Sequence, residues 1–157
     1  MPPLRTYNDG KHIYSVDMML AYVNTHNHSI VKITIDELLP QLKQPVWGEW
    51  SPMTVIEKMD VKKYQDNSNR IREADLSYPI ILTDRSPKLA YPVPEHIIVD
   101  GYHRIAKAYL DGKKEIKAYI FDSSLMKKFI LDKNLNFVKV HNKLSISDIL
   151  ELWSKNF

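Results

Sequence analysis

Over residues 30–35, Val31, Ile33 and Ile35 alternate with Lys32 and Thr34, the period-two pattern of a half-buried strand. Upstream, Ser15 reads as the N-cap of a helix reaching about Asn24, with Met18, Met19, Tyr22 and Val23 on its apolar side. Residues 25–29 are a polar break. After the strand, Asp36 is placed to cap a short helix carrying Glu37, Leu38 and Leu39, and Pro40 limits its length. Residues 44–50 form a loop bearing Trp47, Gly48 and Trp50. Ser51-Pro52 starts a helix that reaches about Met59, serine as N-cap and proline at the first helical position. Another helix runs through residues 69–76.

Residues 79–83 predict a strand, and residues 84–88 are turn material. Two prolines deny Tyr91-Pro92-Val93-Pro94 a central-strand role. Then comes a strand over residues 96–99, a turn at Asp100-Gly101, and a helix over residues 103–111. That helix points Ile105, Ala106, Tyr109 and Leu110 inward, and Gly112 terminates it. Residues 117–121 form a further strand, after which Ser123 or Ser124 caps a helix through about Asp132. Residues 137–140 suit a short strand, and Ser145-Ile146-Ser147-Asp148 resembles a capping box for a last helix ending near Lys155. Interspersed strands and helices predict one mixed α+β domain, a small mixed sheet flanked by helices.

Composition sharpens this only slightly. At 157 residues, with 44% hydrophobic and 26% charged positions, the chain suits one compact domain without long disorder. It has no cysteine, which excludes disulfides, cysteine-ligated zinc and a cysteine nucleophile. Residues 1–5 lack the apolar core of a signal peptide, and no run approaches the ~20 apolar residues of a membrane span. The expectation is a soluble, cytoplasmic protein. The net charge of +3 is unevenly spread: residues 101–157 carry 11 basic and 6 acidic side chains, residues 1–100 carry 11 and 13. A basic final third is a solvated surface or a field that draws in polyanions.

The chemistry concentrates in Asp100-Gly101-Tyr102-His103-Arg104. A strand that turns on glycine straight into a helix aims free backbone N–H groups at one point, where the helix dipole adds positive charge. Gly101 permits an unusual φ or the close approach of a ligand. His103 and Arg104 lie in the first turn, and arginine grips phosphate bidentately. Two cations there oppose the dipole, a misfit that a bound anion would relieve. Asp100 can orient either cation or coordinate magnesium. Equally, Arg104 can do no more than pair with Asp100.

The run Ile97-Ile98-Val99-Asp100-Gly101-Tyr102-His103-Arg104-Ile105-Ala106-Lys107-Ala108 resembles the motif shared by ParB N-terminal domains, sulfiredoxins and ParB-like free-serine kinases. Tyr78-Pro79-Ile80-Ile81-Leu82 is similar to an upstream strand of that group, and residues 31–38 to its opening strand and turn. The resemblance spans residues 30–121. It implies a core over residues 30–122, with a helical extension at residues 1–29 and a second at residues 123–157 packed on the core. Sulfiredoxins place a catalytic cysteine where this chain has Tyr102, so their chemistry does not carry over. The second arginine pattern of CTP-hydrolysing ParB proteins is replaced by Ile105-Ala106-Lys107-Ala108, and no DNA-reading domain fits the final stretch.

The Asp-Gly-x-His-Arg form is closest to the kinase branch. This implies a small phosphotransferase or NTPase using ATP or ADP, or CTP, with magnesium and a small hydroxyl substrate. Glu37, Asp100 and His103 are the catalytic candidates the resemblance implies, Glu37 as the base with Asp36 as its alternative. Gly101, Tyr102, His103 and Arg104 are the implied phosphate-binding residues. A ParB-like nuclease or DNA-binding protein, and a non-catalytic interaction module, are the competing readings.

Other features carry less. His26 and His28 share one face of a strand, but no third ligand is near, and no structural metal is expected. Arg70 and Arg72 can meet a second phosphate or simply cover a helix. Trp47 and Trp50 can stack a base, close over a pocket or pin their loop to the core. Lys127, Lys128, Lys133, Lys139 and Lys143 can bind a nucleic-acid backbone or form a solvated face.

Overall fold

The structure, a computed structural model, describes residues 5–84 and 94–131. Its main sheet has four strands: β3 (Ile30–Thr34), β4 (Ile80–Thr83), β5 (Ile97–Asp100) and β6 (Glu115–Phe121), in the order β3-β6-β4-β5. Only β4 and β6 run parallel; β3 pairs antiparallel with β6, and β5 with β4. A smaller antiparallel sheet joins β1 (Thr6–Asn8), β2 (Ile13–Ser15) and β7 (Ile130–Leu131). Among the described residues, six α-helices accompany them: α1 (Val16–Thr25), α2 (Ile35–Leu42), α3 (Pro52–Glu57), α4 (Gln65–Glu73), α5 (Tyr102–Leu110) and α6 (Ser123–Met126). The chain is an α+β protein.

Strand alternation sorts the main sheet into two faces. Ile81, Val99 and Phe121 point into a cluster with Tyr14, Met18, Met19 and Phe129, under α1 and the small sheet. Their neighbours Ile80, Leu82, Ile98, Ile116 and Ala118 point the other way, against Leu38 and Leu42 of α2 and Ile105 and Ala108 of α5. A third layer, with Val55, Tyr64 and Ile71, packs on Ala106 at the outer side of α5. Thus α5 is buried on two sides, which fixes the direction of its N-terminus. Tyr109 and Leu110, expected inward, are exposed because small Ala106 and Ala108 take the two packed faces.

Several local expectations hold. Ser15 Oγ accepts from Met18 N, and Ser51 Oγ from Thr54 N with Pro52 opening α3. Others change. The N-cap of α2 is Thr34, not Asp36; Ile35 N donates to Lys114 O at 2.9 Å, so a neighbouring carbonyl replaces the cap. Pro40 sits inside α2 rather than ending it. Before α1 the chain makes a hairpin where only a helix was anticipated. Its turn is organised by Asp9 Oδ1, which accepts from Lys11 N and His12 N, while Tyr14 donates to Oδ2. After β6, Asp122 rather than a serine caps the helix, accepting from Leu125 N at 2.7 Å. That helix ends at Met126, well short of Asp132, and one 3-10 turn leads into β7. The α4 and α3 helices also end earlier than the pattern suggested, at Glu73 and Glu57. The turn anticipated at residues 84–88 falls outside the described residues after Asp84, as do residues 91–93 of the proline insertion, the strand at residues 137–140 and the last helix. No helix among the described residues is long and apolar enough to cross a membrane.

Candidate functional site

The strand–turn–helix unit forms where the motif predicted it. β5 ends at Asp100, Gly101 is the N-cap of α5 with φ +115°, and Tyr102 opens the helix. A Cβ at Gly101 would lie 2.5 Å from Ile80 Cγ2 and 2.9 Å from Ile80 Cβ. Glycine is therefore required twice, by φ and by the close passage of β4. The first helical bond runs from Ile105 N to Gly101 O at 2.9 Å, and no side chain caps the helix. The N–H groups of Tyr102, His103 and Arg104 precede it and have no intrahelical acceptor.

The side chains of the turn differ from the two-cation picture. Arg104 donates to Asp100 Oδ2 at 2.8 Å and to the carbonyls of Tyr78 and Pro79 at 3.0 and 2.6 Å. It clips the chain entering β4 onto α5, and its charge is matched by Asp100. His103 lies against Trp47, ring centroids 4.3 Å apart at 13°, and Nε2 contacts Asn67 Oδ1 at 2.9 Å. Burial, with the neighbouring Arg70 next, pulls its pKa down to about 4; Arg104 adds to this and Asp66 opposes it. The imidazole is uncharged at neutral pH. Donation from Nε2 to Asn67 leaves Nδ1 as an acceptor. Burial pushes the Tyr102 hydroxyl up to about 12, so it remains protonated. The charge misfit at the helix start is thus settled within the chain: one cation is neutralised and the other never forms.

The turn opens into a cleft of about 770 Å³ bounded by α1, the end of α4 and residues 78–79. Lys107 Nζ of α5 donates to Arg72 O and Ala74 O, holding the C-terminal end of α4 against the cleft. Arg70, Glu73 and Asp75 line that side. Arg70 has no hydrogen-bond or ion-pair partner among the described residues, while Arg5 across the cleft is bound to Asp17 at 2.9 Å. The hydroxyl and amide of Ser77 hold the Asp75 carboxyl below its usual range.

Comparison with family models, with curated proteins and with solved structures finds no match to this chain. The site therefore stands on its own geometry.

Asp100, Gly101, Tyr102, His103 and Arg104 come together in the cleft, all five of them lining it. Glu37 does not join them. It reaches His96 Nδ1 at the other end of β5, four residues from Asp100, about 13 Å along an extended strand. Asp36 is exposed on α2 and equally absent from the cleft lining. The two tryptophans serve different parts of the fold. Trp47 covers His103, and Trp50 packs edge-on to Tyr64 at 4.9 Å. His26 stacks on Tyr22 and His28 Nε2 reaches Ile120 O at 2.8 Å, so neither faces a shared ligand. Lys127 and Lys128 follow α6; Lys133, Lys139 and Lys143 lie outside the described residues. Asn67, Glu73 and Asp75 could not be picked out from the sequence, because no spacing links α4 to the turn.

Proposed function

We propose that the chain binds a nucleotide in this cleft, with its phosphates on the N-terminus of α5. The observation that carries the reading is an uncapped helix start opening onto a cleft that also holds Arg70, an arginine unpartnered among the described residues. Free N–H donors, the helix dipole and a guanidinium together attract a phosphate. The volume of about 770 Å³ lies within the roughly 300–1,000 Å³ of small-molecule sites. The resemblance to the ParB-like kinases names ATP or ADP, with CTP next, and a phosphoryl transfer or hydrolysis.

Magnesium fits the donor set, since Glu73 and Asp75 line the cleft and Asp75 keeps its carboxylate charge. Bound there, magnesium would neutralise charge on the phosphates. Asp100 is engaged with Arg104 and serves as a positioning residue. His103, neutral with Nδ1 free to accept, is the proton acceptor the turn itself supplies, in place of Glu37. Calorimetric titration with ATP, ADP and CTP plus magnesium tests the proposal. One site for at least one of them is expected, weakened at least about tenfold in Arg70→Ala; no binding to any would reject it.

A second reading, polyanion binding, rests on a separate groove. Lys32 and Lys117 are direct cross-strand partners, and Lys113 and Lys114 line the same groove of about 390 Å³. Like charges in register repel, and a nucleic-acid backbone would relieve them. Single-stranded or duplex DNA that binds with steep salt dependence, and less in Lys32→Glu, would favour it.

A further inference from the structure

We propose that Glu37, Glu95 and His96 form a site for a divalent transition-metal ion, separate from the cleft and independent of what it binds. Each offers one ligand atom, and the three atoms lie within 4.8 Å of one another. Donors bound to one ion at ~2.0–2.2 Å are at most about 4.4 Å apart, so small side-chain rotations close the set. Two carboxylates held this near each other repel unless a positive charge sits between them. His96 serves one of them, Glu37, at 2.5 Å, while Glu95 has no hydrogen-bond or ion-pair partner among the described residues.

The frame beneath these ligands is built. Gln41, one turn beyond Glu37 on the same side of α2, donates from Nε2 to His96 O at 2.6 Å and accepts at Oε1 from Ile98 N at 2.9 Å. It occupies the outer edge of β5, the last strand of the sheet, as a further strand would. Glu37 therefore projects from a helix and His96 from the bend that leads into β5, and two hydrogen bonds through Gln41 join these segments. Metal on Nδ1 takes the place of the proton between His96 and Glu37, and that proton passes to solvent.

One imidazole with two carboxylates suits zinc or manganese better than magnesium or calcium, and three protein ligands leave room for water. Isothermal titration of the full chain with zinc chloride is the test. One equivalent should bind, and Glu95→Gln, an exposed change that touches no other contact, should weaken it at least about tenfold without lowering thermal stability. His96→Ala should also weaken zinc binding at least about tenfold, whereas a His26→Ala, His28→Ala double variant should bind as the unaltered chain does. Absence of zinc uptake, or full affinity retained in Glu95→Gln, overturns the proposal.

Discussion

The two ends of β5 show opposite ways of using a strand terminus. At its C-terminal end the chain turns on Gly101 and leaves backbone donors open to the cleft. At its N-terminal end a side chain, Gln41, closes the strand edge, and ionisable groups gather over the closure. The first end offers backbone polarity with its side-chain charges already balanced. The second offers side-chain charge over a satisfied backbone. Residue type is therefore a poor guide to role. Conspicuous Arg104 is a clip, and inconspicuous Arg70 lines the cleft with no hydrogen-bond or ion-pair partner among the described residues.

Substitutions can break this contrast. The largest effect belongs to Gly101→Ala, whose methyl would enter Ile80 at 2.5 Å on a backbone at φ +115°. Strain and overpacking together predict a loss of about 3 kcal/mol or more in urea unfolding. Next is Arg104→Ala, which leaves Asp100 and two carbonyls without their donor; about 2–3 kcal/mol should be lost by the same measurement. Arg70→Ala should instead leave stability within about 0.5 kcal/mol and cost about tenfold in nucleotide affinity. Equal destabilisation by both arginine variants would erase the distinction between clip and ligand contact. At the other end of β5, Gln41→Ala should cost about 1 kcal/mol and leave nucleotide affinity unchanged.

The remaining test is a pH slope. His103 titrates near 4 in the fold against 6.5 for an unperturbed imidazole, so the unfolded chain holds more protons between those values. Its contribution to stability is complete above about pH 6.5 and is lost as the pH falls toward 4. Replacing it in His103→Phe, which keeps a ring against Trp47, should flatten stability over that window. Unfolding midpoints across pH 4–7 provide the check.

The sequence made the strand–turn–helix unit legible because its signals are local: a β-branched run, a glycine, then helical spacing. Ser15 and Ser51 were readable as caps for the same reason. The hairpin before α1 was not, since it depends on one carboxylate, Asp9, gathering three donors. The Arg104–Asp100 pair was one of the readings the sequence left open, but the rest of the charge at the turn was hidden for a tertiary reason. The neutral state of His103 follows from its burial and from Arg70 on a different helix, and the partners of Arg104 include carbonyls 25 and 26 residues away. Glu37 and His96 stand 59 residues apart, so no spacing rule could join them. Adjacency in sequence set the turn; packing set what its side chains do.

The central claim, that phosphate is held by the start of α5, is tested most directly by amide chemical shifts. Adding ADP with magnesium to the labelled full chain should move the resonances of Tyr102, His103 and Arg104 first and most, with Glu37 and His96 unmoved. Unchanged amides at residues 102–104 under saturating nucleotide, or shifts confined to Lys32, Lys113, Lys114 and Lys117, would contradict it.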